Sequence, residues 1–82
     1  MRYCIANWKM NFNIMQSTNF IVDLMKKDLQ NNKTTIILSP SFTSLSDVKK
    51  SLEKTRIELA AQNINANLSG AHTGEISVSM LK

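Results

Sequence analysis

The chain has 82 residues, with ten Lys+Arg against six Asp+Glu and a formal net charge of +4. That length suits one small α/β unit with a modest core, and a single cysteine, Cys4, excludes an internal disulfide as its support. No apolar run approaches the length of a membrane span, and the few apolar residues behind Arg2 are not expected to act as a secretory signal.

In chain order, residues 2–7 read as a first strand, with Tyr3-Cys4-Ile5-Ala6 as its apolar centre. Cys4 within it is expected to be a small buried hydrophobe, with a nucleophile the minor reading. Asn13 is placed to cap a helix, and Gln16 to close a capping box with it. The helix is expected to run to about Gln30, with Ile14, Ile21, Leu24, Met25 and Leu29 on one face, and to end at Asn31-Asn32. Residues 34–38 are β-branched and apolar, a buried second strand broken by Ser39-Pro40-Ser41. Residues 44–54 form a second helix, with Leu45, Val48 and Leu52 inward and Asp47 near its start. Residues 57–62 make a third strand, and residues 63–76 a long aperiodic loop that suggests function or an interface. Ser77 then caps a single turn, residues 78–82, whose Met80 and Leu81 have no evident packing partner.

The strands are continuous apolar runs, the pattern of parallel strands covered on both faces, and the helices supply right-handed crossovers. The sequence therefore reads as two βαβ units sharing their middle strand. Neither G-x-G-x-x-G nor G-x-x-x-x-G-K is present. The positive charge does not read as a nucleic-acid surface. Lys26, Lys27, Lys49, Lys50 and Lys54 alternate with Asp23, Asp28, Asp47 and Glu53 on helix faces, without an arginine cluster or interleaved aromatics. One unpaired cysteine suits a reducing, intracellular compartment.

Chemistry concentrates where the first strand ends, at Asn7-Trp8-Lys9-Met10. In parallel sheets, ligands bind beyond the carboxyl ends of the strands, and a lysine there offers a point charge to phosphate or to a developing oxyanion. The plain alternative is a strand that has simply reached solvent. A free-standing βαβαβ module holding a small phosphorylated anion, without catalysis, fits the same residues.

Two separated motifs narrow this. Asn7-Trp8-Lys9-Met10-Asn11 follows the first strand, and Ala60-Ala61-Gln62-Asn63 with Gly70-Ala71-His72-Thr73-Gly74-Glu75-Ile76-Ser77 follows the third. In this order and with this element pattern, the chain resembles the N-terminal part of the triosephosphate isomerase family from Met1 to Lys82. It departs at Phe12, where the family usually has glycine, at Ser39 before Pro40, at His72, where an aromatic ring is common, and at Val78.

The resemblance implies an α/β (β/α)8 barrel, a single domain of about 250 residues. Residues 1–82 would hold its first three strands, two helices and the start of a third. It implies interconversion of dihydroxyacetone phosphate and glyceraldehyde 3-phosphate through an enediolate, in glycolysis and gluconeogenesis, in a cytoplasmic homodimer without metal or organic cofactor. Lys9 would be the catalytic cation, and Asn7 and Lys9 would bind substrate. Met10, Gln62, Thr73 and Glu75 would lie at the dimer interface. This family, itself a standard worked case of tuned acid–base catalysis, uses a glutamate base and a neutral histidine. Both are expected beyond residue 82, since Glu53, Glu58, Glu75 and His72 stand in the wrong places. The 82 residues alone are therefore expected to be inactive and poorly folded, with open edges at the first and third strands.

Overall fold

A computed structural model of the chain describes residues 2–27 and 33–82. Three parallel strands lie in the order β1 (Arg2–Asn7), β2 (Thr34–Ser39) and β3 (Glu58–Leu59). β1 and β2 run in register from Arg2↔Thr34 to Asn7↔Ser39, so their carboxyl ends finish side by side. β3 pairs with β2 through Ile37↔Glu58 and Leu38↔Leu59. It is much shorter than residues 57–62. The Ala60 N–H extends the ladder by one bond to the Leu38 carbonyl (3.0 Å), and Ile57 enters the core without joining it.

The first helix, α1 (Ile14–Met25), starts as its sequence dictates. Asn13 Oδ1 accepts from the Gln16 N–H (2.8 Å), and Gln16 Oε1 accepts from the Asn13 N–H (3.0 Å). At the other end Lys26 and Lys27 donate to the Asp23 and Leu24 carbonyls, a tightened last turn that stops the helix short of Gln30. Asp28, Leu29, Gln30, Asn31 and Asn32 lie outside the described residues.

The buried stripe of α1 is rotated from the expected one. Ser17 and Ile21 are buried and Leu24 half-buried, whereas Ile14 and Met25 are exposed. Ser17 can face inward because its hydroxyl is satisfied, donating to the Asn13 carbonyl at 2.7 Å and lying 3.1 Å from Ser44 Oγ. Two small side chains at this crossing let α1 lie close against a 3₁₀ turn (Phe42–Ser44) and α2 (Leu45–Ser51). α2 ends before residue 54, where Lys54 takes a left-handed conformation (φ 68°).

Trp8, Ile21, Leu38, Val48, Leu52 and Ile57 form the core, with Ala6, Leu24, Ile36 and Leu59 packed against it. Val48 and Leu52 are buried as expected, and Leu45 is half-buried. The expectation of strands covered on both faces is not met. Among the described residues the helices cover one face, and Tyr3 and Ile5 remain 61% and 63% exposed. Cys4 is exposed as well, correcting its reading as a buried hydrophobe. Among the described residues β1 pairs with β2 alone, so no strand flanks Cys4 on its other side.

The last element, α3 (Val78–Leu81), is capped by Ser77, whose Oγ accepts from the Met80 N–H at 3.4 Å. Met80, 68% exposed, and Leu81 border an open groove of about 390 Å³ that Phe42, Leu45, Leu59 and Ile76 also line.

Candidate functional site

The site begins where β1 stops. Trp8 must enter the core, where it is only 8% exposed, and its N–H donates to the Ser39 carbonyl at 3.0 Å. The chain turns immediately after the buried indole. Lys9 makes that turn in the left-handed region (φ 55°), and Asn7 Oδ1 accepts the Lys9 N–H at 2.8 Å. An L-residue held there stores of the order of 1–3 kcal/mol, and such residues persist only when their surroundings fix them. Asn7 is one fixing group; the other comes from far along the chain. Gln62 Nε2 donates to the Lys9 carbonyl (3.0 Å) and to the Ser39 carbonyl (2.9 Å), using both hydrogens of its amide. The ends of β1 and β2 and the segment after β3 are thereby joined around the Lys9 backbone. Both Asn7 and Lys9 remain exposed, so an ammonium is presented at the carboxyl edge of a parallel sheet.

Behind this turn sits an aromatic cluster that motif reading passed over. Trp8 meets Phe12 edge-on (centroids 5.2 Å, 83°) and Phe20 likewise (5.2 Å, 73°), while Phe12 and Phe20 lie 5.8 Å apart. Asn11 Nδ2 donates to the Trp8 carbonyl at 2.8 Å. Phe12, where the resembled family usually has glycine, adopts φ 72°, a conformation glycine takes without strain. The signal for the cluster was present in the spacing of Trp8, Phe12 and Phe20, which brings rings from a turn onto the first helix.

The residues assigned to an interface fall in two places. Met10 is 96% exposed beside Lys9, whereas Gln62 is half-buried and spends its amide inside the chain. Thr73 and Glu75 sit on the long loop, in a stretch from Ala66 to Glu75 that is exposed throughout. The loop is closed at its base, where the Asn65 N–H donates to the Ile76 carbonyl (2.8 Å), and turns at Gly70 and Gly74, both at positive φ. Glu75 accepts a long bond from Asn63 Nδ2 (3.4 Å). Among the described residues no hydrogen bond links Thr73 to Asn7 or Lys9. Glu53, Glu58 and His72 are exposed and likewise unconnected to them.

Parallel strands joined through helices, with a lysine exposed at their carboxyl edge, define an α/β scaffold of the kind that receives ligands beyond its strand ends. The family model for triosephosphate isomerase matches residues 2–82. Similar proteins include triosephosphate isomerases from Treponema denticola, 43% identical over 96% of this chain, and Mycoplasmopsis pulmonis, 45% identical over 95% of it. Another, from Flavobacterium psychrophilum, is 42% identical over 94% of the chain. This chain belongs to the triosephosphate isomerase family, and its three strands and flanking helices are part of a (β/α)8 barrel. It spans 31% of the length of the Treponema and Flavobacterium relatives and 34% of the Mycoplasmopsis one.

Proposed function

We propose that the whole protein interconverts dihydroxyacetone phosphate and glyceraldehyde 3-phosphate, as a single-domain barrel of which residues 1–82 are the N-terminal part. The observation that carries this reading is the Lys9 turn, fixed by Asn7 on one side and Gln62 on the other with its side chain left exposed. Removing a proton from carbon next to a carbonyl leaves negative charge on oxygen. A pre-positioned cation stabilises that charge more than it stabilises the neutral ground state, and so accelerates the step. In this reading Lys9 supplies the cation beside the enediolate and the phosphate. Asn7 binds substrate as well as holding Lys9. In the family the proton-transfer residues are a glutamate base and a histidine electrophile, and this reading places both outside residues 1–82; among the described residues no carboxylate or imidazole is hydrogen-bonded to Lys9. The reading assigns no metal or organic cofactor. The 82 residues alone are expected to be inactive.

The same proposal makes the whole protein a cytoplasmic homodimer of glycolysis and gluconeogenesis. Met10, Thr73 and Glu75 would meet the partner, and Gln62 would support that surface from beneath the turn. The nearly full exposure of Met10 and the exposure of the Ala66-to-Glu75 stretch support this.

A coupled isomerase assay on the whole protein tests the reading. Turnover of glyceraldehyde 3-phosphate far above the buffer rate is expected from it, and none from residues 1–82 alone. Phosphate binding by the whole protein without turnover would replace this reading with an anion-binding module. Turnover by the 82 residues would overturn the expectation that they are inactive.

A further inference from the structure

We infer that Phe12 is a positioning residue for Lys9, acting through an aromatic clamp with Trp8 and Phe20. The geometric part stands on the structure alone; its consequence for turnover rests on the proposed role of Lys9. Two non-glycine residues in the left-handed region, Lys9 (φ 55°) and Phe12 (φ 72°), bound the short Met10-Asn11 link. Lys9 has two fixing groups, the Asn7 carboxamide on its N–H and the Gln62 amide on its carbonyl. Phe12 itself has no hydrogen bond among the described residues; Asn11 is tied to the Trp8 carbonyl and Asn13 to the capping box, so its ring contacts are the tie that Phe12 itself supplies. Its ring stands edge-on to Trp8 at 5.2 Å and beside Phe20 at 5.8 Å, and Phe20 is itself edge-on to Trp8 at 5.2 Å. Phe20 rides on α1, a helix anchored by its capping box. The clamp thus runs from α1 through two rings to the indole next to Lys9, and fixes the return path of the Lys9 turn.

Burial gives a weaker account of these side chains. Phe12 and Phe20 are 39% and 38% exposed, whereas the core proper is under 10% exposed. Rings more than half buried are stabilised by burial too, so the clamp is distinguished by its edge-on geometry and not by the absence of burial. Leucine at residue 12 would keep apolar bulk yet lose the ring, so it separates the two accounts, whereas glycine removes both and frees the backbone as well.

The test compares wild type, Phe12→Leu and Phe12→Tyr in the whole protein by two readouts. The first is hydrogen exchange of the Lys9 amide relative to the Ala60 amide, which bonds to the Leu38 carbonyl in the sheet. Phe12→Leu is expected to raise that ratio by about tenfold and Phe12→Tyr to leave it near the wild-type value. The second is steady-state kinetics with glyceraldehyde 3-phosphate, where Phe12→Leu is expected to lose about tenfold in kcat with a smaller change in KM and Phe12→Tyr to keep the wild-type value. An unchanged exchange ratio, or a rise shared equally by Ala60, overturns the clamp. A changed ratio with unaltered kcat overturns its role in positioning Lys9 for turnover. If the wild type shows no isomerase activity, the exchange ratio still decides the clamp, and the proposed function is what fails.

Discussion

The two loops that follow β1 and β3 are built in opposite ways. The turn at Asn7–Lys9 is tied from three directions, by its own Asn7 side chain, by Gln62 and by the rings behind Trp8. The loop at residues 63–76 is closed at its base by one backbone bond from Asn65 to Ile76, and its Ala66-to-Glu75 stretch is exposed throughout. A charge that must meet a substrate atom needs a position set by the chain itself. A surface that meets another protein can have its final shape set by that protein. The difference is what the proposed roles of the two loops require.

Gln62→Ala should break this contrast most severely. It removes two hydrogen bonds that join three segments and leaves the Lys9 carbonyl without that partner. A loss of about 1–3 kcal/mol in chemical denaturation is expected, together with a fall in kcat/KM. An unchanged kcat/KM would show that Lys9 needs no tether from beyond β3. Gly74→Ala attacks the other loop and should cost less. At φ 79° with open space around the added methyl, the penalty is backbone strain alone, about 1 kcal/mol. Size-exclusion chromatography of the whole protein should shift towards monomer while the Lys9 turn stays intact. Lys54→Gly is the smallest test and has the opposite sign. Lys54 is a left-handed residue at a helix end with an exposed side chain, so glycine should stabilise by about 0.5–1 kcal/mol in thermal unfolding. A destabilised variant would mean that the positive φ at residue 54 is not strained.

Much of the fold could be read from sequence because the deciding signals are local. The bounds of β1, the Asn13–Gln16 capping box and the burial of Val48 and Leu52 all follow from neighbours within about one helical turn. The stripe of α1 was misread because Ser17 looks polar, whereas its bond to the Asn13 carbonyl lets it be buried. Cys4 looked buried because an apolar run cannot say how many strands flank it. The exposed place of Asn7 and Lys9 at the carboxyl end of β1 was legible from strand position. The bracket from Gln62 was not, since it reaches its target across 53 residues. Nor was the conformation of Phe12, because a non-glycine residue at φ 72° is held by its surroundings, which a local motif does not name.

The kinetics of Lys9→Ala in the whole protein test the central claim most directly. The account predicts a fall in kcat of about 10²–10³-fold with an unchanged circular-dichroism spectrum, the cost of removing one preorganised charge from a developing oxyanion. A kcat/KM within about twofold of wild type, a difference of less than about 0.5 kcal/mol in the barrier, would contradict it.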